Sequence, residues 1–183
     1  MALDLDSAFE YLNKSFSAGR LSHAYLITGP AGSGKNELAL RLISLVNKFP
    51  QEESLANVIS ENVRLVQPES KSRRIKVEQV RELEEMFHQK ANKGSYKIGI
   101  IEDAERLGEQ AENAFLKTLE EPPLNCLMLL ITAFPEQLLD TILSRCIEVP
   151  LMQADSSIAA NEYGDQLRDL LQGIRPTIIE RES

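Results

Sequence analysis

The stretch Gly29-Pro30-Ala31-Gly32-Ser33-Gly34-Lys35-Asn36 decides the fold, because it has the spacing G-x-x-x-x-G-K. An apolar run at residues 24–27 precedes it, and the helical pattern of residues 37–43 follows it. A strand, a glycine-rich loop and a helix in this order form the context that a phosphate-binding loop requires. The glycines let backbone N–H groups face phosphate oxygens, and the helix N-terminus adds about half a positive charge there.

All eight residues of this loop are therefore predicted to bind the phosphates of a nucleotide, with Lys35 reaching the terminal phosphates. One position departs from the pattern. The loop normally ends in Ser or Thr, whose hydroxyl binds Mg²⁺, and here it ends in Asn36. The loop by itself leaves open an ordinary glycine-rich turn between a strand and a helix. Asn36 predicts that any ATP and Mg²⁺ binding is weakened or absent.

The composition is that of one globular domain with a sizeable core. The chain has 183 residues, of which 43% are hydrophobic and 26% charged, and no apolar run approaches the roughly 20 residues of a membrane span. The N-terminus lacks the basic-then-apolar pattern of a signal peptide, which predicts a cytoplasmic protein. Cys126 and Cys146 lie far apart in the sequence and are predicted to be buried, reduced thiols.

The net charge of −8 argues against a free-standing, high-affinity nucleic-acid binder, because neutralisation of phosphates dominates such affinity. A local basic surface remains open. The compact basic cluster Lys71, Arg73, Arg74 and Lys76 is the one candidate for it.

Predicted strands and helices alternate along the chain. The strands are expected at residues 24–27, 62–66, 96–101, 127–132 and 147–149. The helices are expected at residues 6–18, 34–47, 77–89, 109–120 and, in the C-terminal part, 161–173, with a loop and a short helix between 135 and 144. This alternation predicts an α/β fold of the P-loop NTPase type, with a five-stranded parallel sheet and helices on both faces.

Three separate stretches converge at the carboxyl ends of the predicted strands, where ligands bind in such sheets. They are the glycine-rich loop, the acidic pair Glu102-Asp103 after the third strand, and Thr132 at the end of the fourth. The apolar run 98–101 followed by two acids has the form of a Walker B strand. In working ATPases the first acid is Asp, which holds Mg²⁺, and the second is Glu, which orients the attacking water.

Here the two acids are inverted, so the reach of each carboxylate differs by one methylene from the working arrangement. A positioning error of about 1 Å can cost about a hundredfold in rate. Together with Asn36, three departures therefore affect the positioning of metal and water. A polar strand end with no catalytic task remains the alternative for Glu102 and Asp103.

The chain resembles the bacterial clamp-loader AAA+ subunits of DNA polymerase III, with the delta-prime branch as the best match. The resemblance covers about residues 20 to 150. Its motifs are S-H-A-Y-L at 22–26, I-K-V-E-Q-V-R at 75–81, I-I-E-D-A-E-R-L at 100–107, N-A-F-L-K-T-L-E-E-P-P at 113–123 and T-I-L-S-R-C at 141–146.

The resemblance implies an ATP-driven ring of subunits that opens a sliding clamp and places it on primed DNA. It implies that Arg145 is an arginine finger, which acts on the nucleotide of a neighbouring subunit. Thr132 matches the sensor position, where a hydroxyl reads the gamma phosphate, although an ordinary Thr at a strand end is an equal alternative. The partners implied are gamma/tau and delta types of subunit, the sliding clamp and primer-template DNA.

The family also suggests that the basic cluster contacts the DNA backbone, and a solvated basic turn is the alternative. Many family members carry four zinc-binding cysteines after the P-loop helix, and residues 47–70 contain none, so no zinc is expected. The predicted domains are an AAA+ nucleotide-binding domain at 1–150 and a partial lid or linker helix with a tail at 151–183. The chain is expected to be either a piece of a longer subunit or a short paralogue.

Three functional hypotheses follow. In the first, the chain is a stator-like subunit that contributes Arg145 to a neighbour and hydrolyses little or no ATP itself; Asn36, Glu102 and Asp103 favour it. In the second, it is an active gamma/tau-type ATPase, which the intact 29–35 pattern favours. In the third, it is a nucleotide switch or P-loop kinase outside replication, which leaves the motifs at 113–123 and 141–146 unexplained.

Overall fold

The computed structural model describes residues 2–50, 52–70, 73–89 and 95–153. Residues through Gln153 belong to one compact unit. The helix predicted at 161–173, and with it nearly all of the predicted lid and tail, lies outside the described residues.

Within the described residues, five strands and five α-helices follow one another in the predicted alternation. The helices are α1 Leu5–Ser17, α2 Lys35–Asn47, α3 Val77–His88, α4 Glu109–Glu120 and α5 Asp140–Leu143. The strands are β1 Ala24–Thr28, β2 Val63–Val66, β3 Lys97–Glu102, β4 Cys126–Thr132 and β5 Ile147–Pro150. Short 3₁₀ turns at Ala104–Arg106 and Pro135–Gln137 follow β3 and β4, respectively.

The five strands form one sheet in the order β2-β3-β4-β1-β5, and every pairing is parallel. The central strand β1 therefore lies between β4 and β5. Its last residue, Thr28, is opposite Thr132 on one side and Pro150 on the other. All five carboxyl ends consequently meet at one edge of the sheet, which we call the carboxyl edge; the opposite edge is the amino edge.

Two apolar layers hold the helices against the two faces of the sheet. Along β1, Tyr25 and Ile27 pack with α1 and α2, whereas Ala24 and Leu26 pack with α3, α4 and α5. Both faces of β1 are buried, as expected for a central parallel strand. The alternating side-chain direction of a strand explains why one short apolar run contributes to both layers.

The structure confirms the predicted fold class and the parallel sheet. Each of the five predicted strands and the first four predicted helices is present, with ends that agree within one residue. The segment 135–144 contains a 3₁₀ turn and the single-turn helix α5, as predicted for a loop and short helix. The isolated bridges were not predicted; in one of them Leu3 pairs in parallel with Leu151, just after β5, so the N-terminal segment lies beside the end of that strand.

Both cysteines are free thiols in the structure. Cys126 is buried and Cys146 is partly buried, and burial raises the pKa of these thiols to about 11 and about 12. Within the described ranges, no helix combines the length and the hydropathy needed to cross a membrane.

Gly29 is the first residue after β1, and its backbone has a φ of 149°. A Cβ atom at this position would lie 2.6 Å from the carbonyl oxygen of Leu151. Gly19 also has a positive φ, of 64°, but a Cβ there would meet nothing within 4 Å. An alanine at position 19 would therefore suffer backbone strain alone, whereas an alanine at position 29 would suffer backbone strain and a steric clash.

We predict that Gly29→Ala lowers the free energy of unfolding by at least 2 kcal/mol more than Gly19→Ala, which should cost about 1 kcal/mol. Urea denaturation of both variants measures the difference. Equal losses would show that the loop can move away from Leu151 without cost.

Candidate functional site

The glycine-rich loop connects β1 to α2 at the carboxyl edge of the sheet. Gly32 and Gly34 have φ values of 79° and 85°, which L-residues with side chains rarely adopt. Gly34 is the N-cap of α2, and no side chain caps this helix end. The first N–H groups of α2 are therefore available to an anion, together with the positive end of the helix dipole.

Lys35 lies at the start of α2 and folds back over the loop. Its Nζ donates to the carbonyl oxygens of Gly29 and Pro30 at 2.7 and 2.8 Å. Partial burial lowers the pKa of Lys35, while the nearby carboxylates of Glu105 and Asp103 act in the opposite direction. The ammonium group is thus kept at the loop, where a bound phosphate would compete for the same hydrogens.

Ser33 contributes to the loop differently from its neighbours. Its side chain is buried and lies against Gly29, and its hydroxyl has no hydrogen-bond partner among the described residues. Its backbone N–H donates to the carbonyl of Pro30 at 3.2 Å, which closes the turn.

The magnesium position of the loop is altered by a direct contact between Asn36 and Glu102. The amide Nδ2 of Asn36 donates to Oε1 of Glu102 at 2.6 Å. Mg²⁺ requires oxygen ligands in near-octahedral geometry, but this contact directs an N–H₂ group at the carboxylate that would hold the metal. The side chains present here fit a phosphate group and do not fit a resident Mg²⁺.

Asp103 follows β3 in the left-handed region, with a φ of 51°, and its side chain is largely exposed. It faces Arg106 across 3.7 Å. Thr132 is only 1% exposed, and its hydroxyl donates to Glu105 at 2.6 Å while accepting from the N–H of Phe134 at 2.9 Å. The hydroxyl hydrogen of Thr132 is therefore already engaged, and its role as a sensor stays a prediction.

The three predicted stretches line a common cleft of about 420 Å³ at the carboxyl edge. Lys35, Asn36, Glu102, Asp103 and Thr132 all contribute to its walls. Sequence reasoning missed the part that Glu105 plays at this cleft. Its position three residues after Glu102 could have indicated this part. The 3₁₀ turn at Ala104–Arg106 brings Glu105 back beside Thr132.

Arg145 lies at the amino edge of the sheet. It precedes β5, whose first residue Ile147 is opposite Tyr25, whereas the loop begins after Thr28. The start of β5 and the start of the loop are therefore four strand residues apart, which is about 13 Å along the strand direction. Arg145 also donates to Glu120 at the end of α4, at 2.7 Å. Its guanidinium therefore lies away from its own cleft.

The predicted basic cluster is partly neutralised in the structure. Arg73 and Lys76 both pair with Glu69, and the contact of Lys76 is 3.2 Å long. Arg74 is exposed. Burial raises the pKa of Glu112, and the N–H of Leu139 and the charge of Arg74 offset this rise in part. Lys71 lies outside the described residues. The local excess of positive charge is smaller than the sequence indicates.

The sheet order, the loop after the central strand and the acidic end of β3 define the chain as a P-loop NTPase of the AAA+ class. Solved structures agree. A DNA polymerase III gamma subunit-related protein from Thermotoga maritima superposes with a TM-score of 0.67 at 27% identity, over 92% of this chain and 53% of that one. The RuvB branch-migration motor of the same organism shares the fold, with a TM-score of 0.51 at 15% identity, over 80% of this chain and 44% of that one.

The family described as "DNA polymerase III, delta subunit" matches residues 5–155, and the chain belongs to this family. The resemblance to clamp-loader AAA+ subunits is thereby confirmed. DNA polymerase III subunit delta' is 37% identical in Pseudomonas aeruginosa, over 75% of this chain and 46% of that protein, and 39% identical in Bacillus subtilis, over 76% and 45%. Subunit tau of Salmonella typhimurium is 34% identical, over 79% of this chain and 24% of that protein.

This chain therefore spans just under half the length of the two delta' relatives and about a quarter of the tau relative.

We predict that Asn36→Thr makes nucleotide binding by this chain more dependent on Mg²⁺. The substitution removes the N–H donor that engages Glu102 and supplies a hydroxyl ligand, and changes around a metal ligand typically alter affinity by about 10- to 100-fold. The measurement is titration of ADP and ATP with and without Mg²⁺. Wild-type binding that strengthens more than tenfold with Mg²⁺ would contradict the misfit described above.

Proposed function

We propose that this chain is the AAA+ module of a clamp-loader subunit in DNA replication, and that it acts as a delta-prime-like stator. By stator we mean a subunit that hydrolyses little or no ATP itself and contributes Arg145 to the nucleotide site of a neighbour. Family membership supports the first part of the proposal. The second part rests on the site.

The observation that carries the stator role is the hydrogen bond from Asn36 to Glu102. Hydrolysis in this class needs a carboxylate free to hold Mg²⁺ and a second one placed to orient water. Glu102 is occupied by an amide, and Asp103 is exposed and faces Arg106. Neither acid is arranged for its task.

The phosphate cradle itself is retained. The left-handed glycines, the uncapped start of α2 and Lys35 supply backbone donors and one ammonium group. These groups are sufficient to hold the phosphates of a nucleotide without moving a proton or activating water. A nucleotide held by this loop is therefore a structural ligand that the chain does not hydrolyse.

Arg145 is the group that the stator contributes to ATP hydrolysis at the nucleotide site of a neighbouring subunit. A guanidinium stabilises the charge that develops on a transferred phosphoryl group and is worth on the order of 10³–10⁵ in rate. Its place at the amino edge keeps it away from its own cleft and next to Glu120 in the last turn of α4. A neighbouring subunit whose nucleotide faces this edge would receive it.

The partners in this proposal are gamma/tau-type and delta-type subunits, the sliding clamp and primer-template DNA. The names of the relatives support the polymerase III assembly. Contact of the basic cluster with the DNA backbone remains part of the proposal, through Arg74 most directly, because Arg73 and Lys76 are paired with Glu69.

An active gamma/tau-type ATPase is the second candidate. The intact loop from Gly29 to Lys35 and the 34% identity to a tau subunit favour it. It requires Glu102 to exchange the amide of Asn36 for a metal ion during each turnover.

We predict that the isolated protein has negligible ATP turnover, and that Arg145→Ala lowers turnover at the neighbouring site of the assembled complex by about 10³-fold or more. The measurement is phosphate release by complexes in which this chain keeps Lys35 and, of the other subunits, only that neighbour retains a functional loop lysine. Because no other site contributes, the measured ATP turnover reports the effect of Arg145 alone.

Lys35→Ala is the matched control for this experiment. It should leave turnover at the neighbouring site within about threefold, since Lys35 serves only its own cleft. Robust turnover by the isolated protein that Lys35→Ala abolishes would establish the second candidate instead.

A further inference from the structure

Arg145 is held at the amino edge by three hydrogen bonds from its own side chain. Nη2 donates to Oε1 of Glu120 at 2.7 Å, and Nη1 donates to the carbonyl of Thr141 at 2.9 Å and to the hydroxyl of Ser144 at 3.4 Å. The last two partners lie within four residues of Arg145. Glu120 belongs to a different element, the last turn of α4, and so fixes the guanidinium relative to the body of the domain.

The number of donors leaves room for a phosphate. A guanidinium carries five N–H donors in a rigid plane, and the three contacts leave Nε–H and one hydrogen of Nη2 without a partner among the described residues. A phosphate oxygen accepts hydrogen bonds from such guanidinium donors. Glu120 thus holds Arg145 while two of its hydrogens remain for a nucleotide.

Helix α4 holds the segment that carries Arg145 at a second point. Near the start of α4, Oε1 of the buried carboxylate Glu112 accepts the N–H of Leu139, which is the N-cap of α5, at 3.2 Å. Glu112 and Glu120 are eight residues apart, about 12 Å along the helix. Between them, Leu116 belongs to the same apolar layer as Leu143 of α5.

The ion pair itself contributes little to stability. The side chains of Arg145 and Glu120 are 34% and 51% exposed, and exposed pairs of this kind typically add little to the free energy of unfolding. Its main physical effect is on the orientation of a long side chain that would otherwise sample many rotamers.

We infer that Glu120 is a positioning residue for Arg145, which sets the guanidinium in the orientation that a neighbouring subunit's nucleotide requires. This inference rests on the proposed role of Arg145 as a finger. Glu120 does not touch the nucleotide. It acts by a hydrogen bond, so the acceptor oxygen matters more than the charge.

The experiment compares four single variants and one double variant in the assembled complex in which only the neighbouring subunit retains a functional loop lysine. Glu120→Ala removes the acceptor, and Glu120→Gln keeps an acceptor oxygen at the same reach without the charge. Glu121→Ala removes an exposed carboxylate at the next position and is the matched control. Arg145→Ala reports the full loss of the finger. Phosphate release gives kcat and the KM for ATP, and thermal unfolding of each variant checks that the chain is folded.

Glu120→Ala should lower kcat about tenfold with an unchanged KM, because a misplaced group loses rate and not substrate binding. Glu120→Gln should retain at least half of the wild-type kcat, and Glu121→Ala should be indistinguishable from wild type. The double variant Glu120→Ala, Arg145→Ala should be no slower than Arg145→Ala alone, since Glu120 acts only through the arginine.

The outcomes distinguish this inference from the proposed function. If Arg145→Ala has no effect, the finger itself is wrong, and with it the role of Glu120. If Arg145→Ala abolishes turnover and Glu120→Ala does not change it, the finger stands and the positioning role is overturned. A rise in kcat for Glu120→Ala also overturns it, because the carboxylate would then be a restraint that must be released.

A second measurement does not depend on assembly. In the isolated full chain, the ¹⁵N order parameter of Nε of Arg145 should fall in Glu120→Ala and stay close to wild type in Glu120→Gln and Glu121→Ala. An unchanged order parameter in Glu120→Ala would show that Thr141 and Ser144 suffice to hold the guanidinium, and would overturn the inference.

Discussion

Parallel pairing on both sides of β1 is the constraint on which the rest of the structure depends. β4 and β5 both run in the direction of β1, β3 runs parallel to β4, and β2 runs parallel to β3, so every strand ends at the same edge of the sheet. This parallel pairing brings together the glycine-rich loop, the acids after β3 and Thr132, although about 100 residues separate the first from the last. The same constraint places the start of β5, and Arg145 just before it, at the opposite edge.

Phosphate binding and hydrolysis, which a working NTPase combines in one cleft, depend on different groups. Phosphate binding needs a backbone that can adopt left-handed conformations and one cation, and Gly32, Gly34 and Lys35 provide both. Hydrolysis needs a carboxylate that is free to hold a metal. A single amide at position 36 is enough to engage Glu102 without altering the path of the loop, because Asn36 is already in the first turn of α2. In the proposed stator, the groups that bind phosphate are therefore kept while the metal position is altered.

The sequence predicted the fold well because its signals are local. Gly19, the prolines at 122 and 123 and the apolar strands set the boundaries of elements directly, and the alternation of elements admits few topologies. It also predicted which residues share the cleft. The side-chain contacts could not be predicted: the bond between Asn36 and Glu102 crosses 66 residues of sequence and depends on the rotamers of both side chains. The pairing of Leu3 with Leu151 was missed for a similar reason, because a single bridge leaves no periodic pattern.

Helix α4 is the element that connects the two edges. It begins after the turn that follows β3, where the cleft lies, and it ends before β4 at the level of Arg145. Phe115 and Leu119 bury one face of it in the apolar layer, and Thr118 donates to Glu84 of α3 at 2.8 Å. A helix fixed in this way moves as a unit, since its backbone bonds are internal and its packing is close. Glu120, which contacts the arginine at the amino edge, therefore belongs to a rigid helix whose first turn lies at the carboxyl edge.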